Sequence, residues 1–121
     1  MSSSTQLTDL NDLVKMEGDL RFSRENLTIT DGQTIVVGAL LEASGSNYVV
    51  CTTGASAAAV ALEAAAPSGA DGIAVGMVRH GIVAYDAIDW GALDAAGKTA
   101  AIAALKALGI LVRTGPTYTT L

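Results

Sequence analysis

The chain has 121 residues, enough for one domain with a short arm or tail and too few for two catalytic domains. Half of it is hydrophobic, but 22 of those residues are Ala and only 30 are Val, Ile or Leu, so the core is thin for its length and self-association is expected to supplement it. Twelve acids against seven bases, with no basic run, weigh against nucleic acid and anionic lipid as partners, and a single cysteine (Cys51) with a single histidine (His80) leaves neither an intrachain disulfide nor a Cys/His zinc set.

The opening Met-Ser-Ser-Ser-Thr-Gln lacks the basic start and apolar stretch of a secretory signal, and no run approaches the ~20 apolar residues of a membrane span. A soluble protein made in a cytoplasm is expected. Residues 1–19 are polar and acidic and read as an N-terminal arm with no core-like alternation. Within it Leu10, Leu13 and Val14 fall three and four apart, Thr8 is placed to cap and Gly18 to terminate, which allows a short amphipathic helix.

From Leu20 the texture changes to short β-like runs punctuated by turn residues. Leu27 and Ile29 alternate with Thr28 and Thr30, Asp31-Gly32 marks a hairpin turn, and Thr34 to Leu41 reads as a longer strand. Tyr48 to Cys51 follows a Ser44-Gly45-Ser46-Asn47 turn. Ala55 to Ala66 is helical by alanine propensity, yet it can hold a strand around Val60-Ala61-Leu62. After the Pro67–Gly72 loop, Ile73 to Val78 and Ile82 to Tyr85 read as a second hairpin joined at Arg79-His80-Gly81.

The secure helix runs from about Asp94 to Leu108, with Asp94 as cap and Gly109 beyond its end. Ala101, Ile102, Leu105 and Leu108 form a stripe expected to pack on the sheet. The opposite face holds Ala96, Ala100, Ala103, Ala104 and Ala107, which either reflects helix propensity or permits close approach of another subunit. Ile110-Leu111-Val112 forms a last strand, followed by a tail.

Catalytic content is sparse. Gly97-Lys98-Thr99 resembles the end of a phosphate-binding loop, but Ala92 stands where that loop needs its first Gly, so Lys98 is expected to lay its stem along the apolar stripe. His80 reads as a solvated turn residue, Asp86 and Asp89 as turn or cap residues, and Cys51 as a small buried side chain. No enzyme and no cofactor is expected.

The order of motifs is more informative: Phe22-Ser23-Arg24-Glu25-Asn26-Leu27-Thr28-Ile29, Asp31-Gly32-Gln33-Thr34-Ile35-Val36-Val37-Gly38-Ala39-Leu40-Leu41, Tyr48, then Ala58-Ala59-Val60-Ala61-Leu62. Ala84-Tyr85-Asp86-Ala87-Ile88-Asp89-Trp90, an Ala-rich helix and Leu108-Gly109-Ile110-Leu111-Val112-Arg113 follow. Over residues 20 to 114 this resembles the lambda-type bacteriophage head decoration, or cement, proteins. Ala61 stands where that family usually has Gly, and the tail after Gly115 is extra.

The resemblance implies a mainly β, β-tulip-like single domain with one short C-terminal helix. It selects a strand at Ala59 to Glu63. It further implies homotrimers on the outer surface of the expanded head at three-fold positions, with the segment before the first strand reaching onto the major capsid protein. The expected division is an arm at 1–19, a body at 20–115 and a tail at 116–121. Arm anchors are expected at Leu7, Leu10, Leu13, Val14 and Leu20. The trimer contact is expected at Trp90, Leu93, Ala96, Ala100, Ala103 and Ala107, although Trp90 equally suits a core plug beneath the helix. A non-viral module of a larger assembly, or a small hydrolase gathering His80, Asp86 and Asp89, are the competing readings.

Overall fold

The computed structural model describes residues 14–17 and 23–113. Its strands are β1 (Val14–Glu17), β2 (Arg24–Ile29), β3 (Leu40–Ser44), β4 (Asn47–Val50), β5 (Ala57–Ala61), β6 (Gly72–Met77), β7 (Gly81–Ala84) and β8 (Ile110–Arg113), with one helix, α1 (Ala95–Ala107), between β7 and β8. Five strands close a barrel in the order β2-β4-β3-β5-β6, and β1-β7-β8 form a separate three-stranded sheet with β7 in the middle. The domain is mainly β with one short C-terminal helix, as expected.

The alanine content has a structural use, because a five-stranded barrel has little internal room. Its interior is filled by Leu27, Ile29, Ile35, Leu41 and Val78 interleaved with Ala39, Ala59, Ala61 and Ala74. Gly76 completes the fit: a Cβ there would lie 2.5 Å from Leu27 Cδ1. Alternation along the strands sends the remaining apolar side chains outward. Leu40, Val60, Leu62 and Met77 meet Val83, Ile110 and the helical Ala101 and Leu105 in a second cluster, which joins the barrel to the helix and the small sheet.

Alanine propensity favours helix over Ala55 to Ala66, but the segment has partners on both sides. Strand β5 pairs antiparallel with β3 (Leu40↔Val60) and with β6 (Val60↔Met77), so burial and ladder bonds outweigh a propensity of a few tenths of a kcal/mol per residue. The strand runs from Ala57 to Ala61, so it starts and ends two residues before the expected Ala59 to Glu63, and Ala61 at its end is fully buried.

Two expected hairpins do not form. Asp31-Gly32 is a turn, with Gly32 at φ +90°, but the chain leaving it crosses the end of the barrel instead of returning along β2. Both edges of β2 are already taken, by β6 along its whole length and by β4 at Ile29↔Tyr48. The turn docks on the next loop, where Asp31 Oδ1 accepts from the Gly69 amide and Asp71 Oδ1 accepts from the Asp31 amide, each at 2.9 Å. The long strand expected over Thr34 to Leu41 is therefore confined to Leu40 onward. Its break is at Gly38 (φ +93°), where a Cβ would sit 2.3 Å from the Ala87 carbonyl oxygen.

Likewise, Arg79-His80-Gly81 links two sheets. Strand β6 has β2 and β5 on its edges, so β7 pairs instead with β1 and, in parallel, with β8. His80 makes the turn at φ +53°, and its carbonyl accepts from Ser23 Oγ at 2.9 Å. The Ser44–Asn47 turn behaves as expected, closing β3 on β4 through Ser44↔Asn47.

The possible arm helix is corrected at its C-terminal end. Val14 belongs to a strand, β1, whose backbone pairs with β7 at Val14↔Val83, Met16↔Ile82 and Glu17↔Gly81. Leu7, Leu10, Leu13 and Leu20, the remainder of residues 1–19 and the tail at 116–121 lie outside the described residues.

Candidate assembly surfaces

Helix α1 begins where its sequence places it. Asp94 is in extended conformation and its Oδ1 accepts from the Gly97 amide at 2.8 Å, while Gly109 at φ +85° ends the turn after the C-cap Leu108. The helix lies against the 3-10 turn Gly54–Ser56 so closely that a Cβ on Gly54 would be 2.0 Å from the Gly97 carbonyl oxygen.

The expected apolar stripe is narrower than its spacing suggested. Ala101 and Leu105 are fully buried, but Ile102 is half-buried and Leu108, the C-cap just past the last helical residue, is exposed. Ala104 turns inward and packs on the cluster. The outward face keeps Ala96, Ala103 and Ala107 exposed and Ala100 half-buried, flanked by the exposed Thr99 and Lys106.

Trp90 and Leu93 sit before the helix and pack on the second cluster, each half-buried. The Trp90 indole N–H donates to the Tyr85 carbonyl at 3.3 Å, and its ring lies 4.9 Å from that of Tyr85, tilted by 45°. Lys98 is half-buried on the helix. Its Nζ stands 5.9 Å from the Trp90 ring centroid, where the π face attracts the ammonium. Trp90 and Leu93 thus pack towards the core just before the helix, as a core plug would, while Ala96, Ala103 and Ala107 are exposed.

The residues considered for chemistry have structural work. The Asp89 carboxylate accepts from the Gly91 amide at 2.9 Å, and Asp86 lies in the 3-10 turn Tyr85–Ala87. Among the described residues no three His, Cys, Asp or Glu side chains are placed to share a metal ion. Cys51 is buried, and its Sγ lies 3.1 Å from the Thr53 carbonyl. Burial, reinforced by the negative charge of Glu42, pushes its thiol up to about 11 from 9.0, so it is not primed as a nucleophile.

Sequence reasoning missed a second surface. Leu111 is 47% exposed on β8, beside a groove of about 350 Å³ lined by Ile82, Ile102, Lys106, Leu111, Val112 and Arg113. The signal was present in the alternation of Ile110 and Leu111, but reading it required knowing that β8 ends a sheet. Ile73, 65% exposed opposite Thr28, is a further outward apolar side chain.

Comparison with known families supplies what the geometry alone does not. The family described as bacteriophage lambda head decoration protein D matches residues 3–110, most of the chain and nearly all of the described body. A comparison with curated proteins finds no match. With its barrel, its single C-terminal helix and this match along its length, the chain belongs to the bacteriophage lambda head decoration protein family and is a structural protein of the phage head.

Proposed function

We propose that the protein assembles as a homotrimer that binds the outer surface of the expanded head at three-fold sites and ties neighbouring capsomers together against the pressure of the packaged genome. Family membership carries this reading. The partner is the major capsid protein, and the action is mechanical and requires neither catalysis nor a cofactor. Synthesis is in the host cytoplasm.

The division of labour proposed is an arm at residues 1–19, a body at 20–115 and a tail at 116–121. Residues 14–17 pair with β7, which supports an arm that starts from that edge of the body. Leu7, Leu10 and Leu13, with Val14 and Leu20, are the proposed capsid anchors. Ordering such a segment costs roughly 1–2 kcal/mol per residue in backbone entropy, and each new hydrogen bond returns only about 1 kcal/mol net. Apolar anchors must therefore supply the surplus. Three arms on one trimer raise the effective concentration of the second and third, multiplying single-arm affinity by about 10²–10⁴.

For the trimer contact we propose Ala96, Ala100, Ala103 and Ala107 together with Trp90 and Leu93, since small side chains allow a neighbour's backbone to approach closely. The test mixes purified protein with undecorated expanded heads and with immature proheads and sediments both. Selective pelleting with expanded heads supports the proposal, and equal pelleting with both, or none, refutes it. Deleting Ser2 to Leu13 leaves β1 in place and should abolish pelleting; normal binding by that variant would contradict the role of the arm.

A further inference from the structure

We propose that Asp31 is a site of spontaneous backbone modification: its side chain closes on the Gly32 amide to a succinimide, which water reopens as isoaspartate. The chain contains two Asp-Gly pairs, Asp31-Gly32 and Asp71-Gly72, and glycine, with no side chain to hinder its nitrogen, is the successor that most favours this closure. The Gly32 nitrogen attacks Asp31 Cγ, a C–N bond forms, and the amide hydrogen leaves with the carboxyl hydroxyl as one molecule of water. Water then adds to one of the two imide carbonyls. Addition at Cγ restores aspartate, whereas addition at the main-chain carbonyl carbon routes the backbone through the side chain and frees an α-carboxylate. No other reactant is needed.

The fold separates the two pairs. Gly72 is the first residue of β6, paired with Ile29, and Pro67 lies against it, so that a Cβ there would be 3.0 Å from Pro67 Cβ. Both Asp71 carboxylate oxygens are engaged, Oδ1 by the Asp31 amide at 2.9 Å and Oδ2 by Asn47 Nδ2 at 3.0 Å. Closure at Asp71 would have to break these bonds and the end of the ladder together. Asp31 and Gly32 instead form an exposed turn, in which the Gln33 amide donates to the Thr30 carbonyl at 3.2 Å. Nothing lies within 4 Å of the place a Gly32 Cβ would take. Among the described residues only Oδ1 of Asp31 is held, by the Gly69 amide, while the Gly32 amide donates to the Pro67 carbonyl at 3.1 Å. Both restraints come from the one loop at 67–71, most of it exposed, so a local opening there frees the two reacting groups at once while the barrel stays closed. Isoaspartate adds an atom to the main chain inside the turn and displaces the carboxylate that held Gly69, which unties the two loops.

The test ages the full chain at mildly acidic pH, folded and in guanidinium chloride, and maps isoaspartate by peptide fragmentation that distinguishes it from aspartate, with hydroxylamine to trap the succinimide. In the folded protein isoaspartate should form at Asp31 roughly tenfold or more faster than at Asp71, and in denaturant, where only the shared glycine successor counts, the two rates should lie within about threefold of each other. Asp71→Ala takes away the acceptor of the Asp31 amide and should raise the folded rate at Asp31 by roughly threefold or more. Equal rates at the two sites in the folded parent, a faster Asp71, or the same preference in denaturant overturns the proposal without recourse to the variant. An unchanged rate at Asp31 in Asp71→Ala overturns it as well.

Discussion

Replacing Gly54 by alanine probes how closely the helix must sit on the barrel. The new methyl would lie 2.0 Å from the Gly97 carbonyl oxygen, 2.8 Å from its carbon and 3.1 Å from the Ala101 amide nitrogen. All three are backbone atoms of the helix, so no rotamer change relieves the clash and the helix itself must move. Overpacking of a well-filled site typically costs about 1–3 kcal/mol. A shifted helix also uncovers Ala101 and Leu105, both fully buried, and Leu105 alone carries about 1.5–3 kcal/mol when buried. Partial loss of that burial brings the expected destabilisation to about 3 kcal/mol, or roughly 10–15 °C in Tm for a chain of this size. Calorimetry on Gly54→Ala beside Ser56→Ala, an exposed change in the same 3-10 turn, provides the comparison. Ser56→Ala should stay within about 0.5 kcal/mol of the parent. A Gly54→Ala protein that melts within about 2 °C of the parent, about half a kcal/mol on this scale, would refute the account of helix docking.

Other substitutions test separate parts of the fold. Gly76→Ala should destabilise the barrel by about 1–3 kcal/mol because it meets Leu27 Cδ1, and adding Leu27→Val should recover part of the loss; additive losses in urea unfolding would show that the two do not share the space. Asp94→Ala leaves the Gly97 amide without its cap and should cost about 1 kcal/mol by the same assay. Cys51, raised to about 11 from 9.0, should react with a thiol reagent at pH 8 about a hundredfold more slowly in the folded protein than in urea. The raised value has a consequence for stability: protonated thiol is favoured in the folded state, so its stabilising contribution is full below about 9 and is lost as pH rises towards about 11. Cys51→Ala should remove that alkaline decline; the same decline in the variant would place it elsewhere.

Local chemistry explains what the sequence revealed directly. The Asp94 cap, Gly109 and the Ser44–Asn47 turn act within a few residues, and each appears where its residues point. The two missed hairpins failed for a non-local reason. Asp31-Gly32 and Arg79-His80-Gly81 make turns, but whether a turn closes a hairpin depends on which strand edges are free, and β2 and β6 are occupied by strands distant in sequence. The residues left helix and strand both open around Val60-Ala61-Leu62 and the family resemblance decided for the strand, since alanine is the strongest helix former and its need here comes from a narrow barrel interior. For the assembly surfaces, helical spacing located the outward alanines, but it could not show Ala104 turning inward or Lys98 reaching over Trp90. The exposed edge at Leu111 depends on sheet order, which alternation along one strand does not encode.

The central claim is reinforcement of a lattice by symmetric trimers, and cryo-electron microscopy of expanded heads saturated with the protein tests it most directly. The account predicts density in sets of three around the three-fold positions of the outer surface, with N-terminal segments running onto the capsid subunits beneath. Isolated single copies, or density away from those axes, would contradict it.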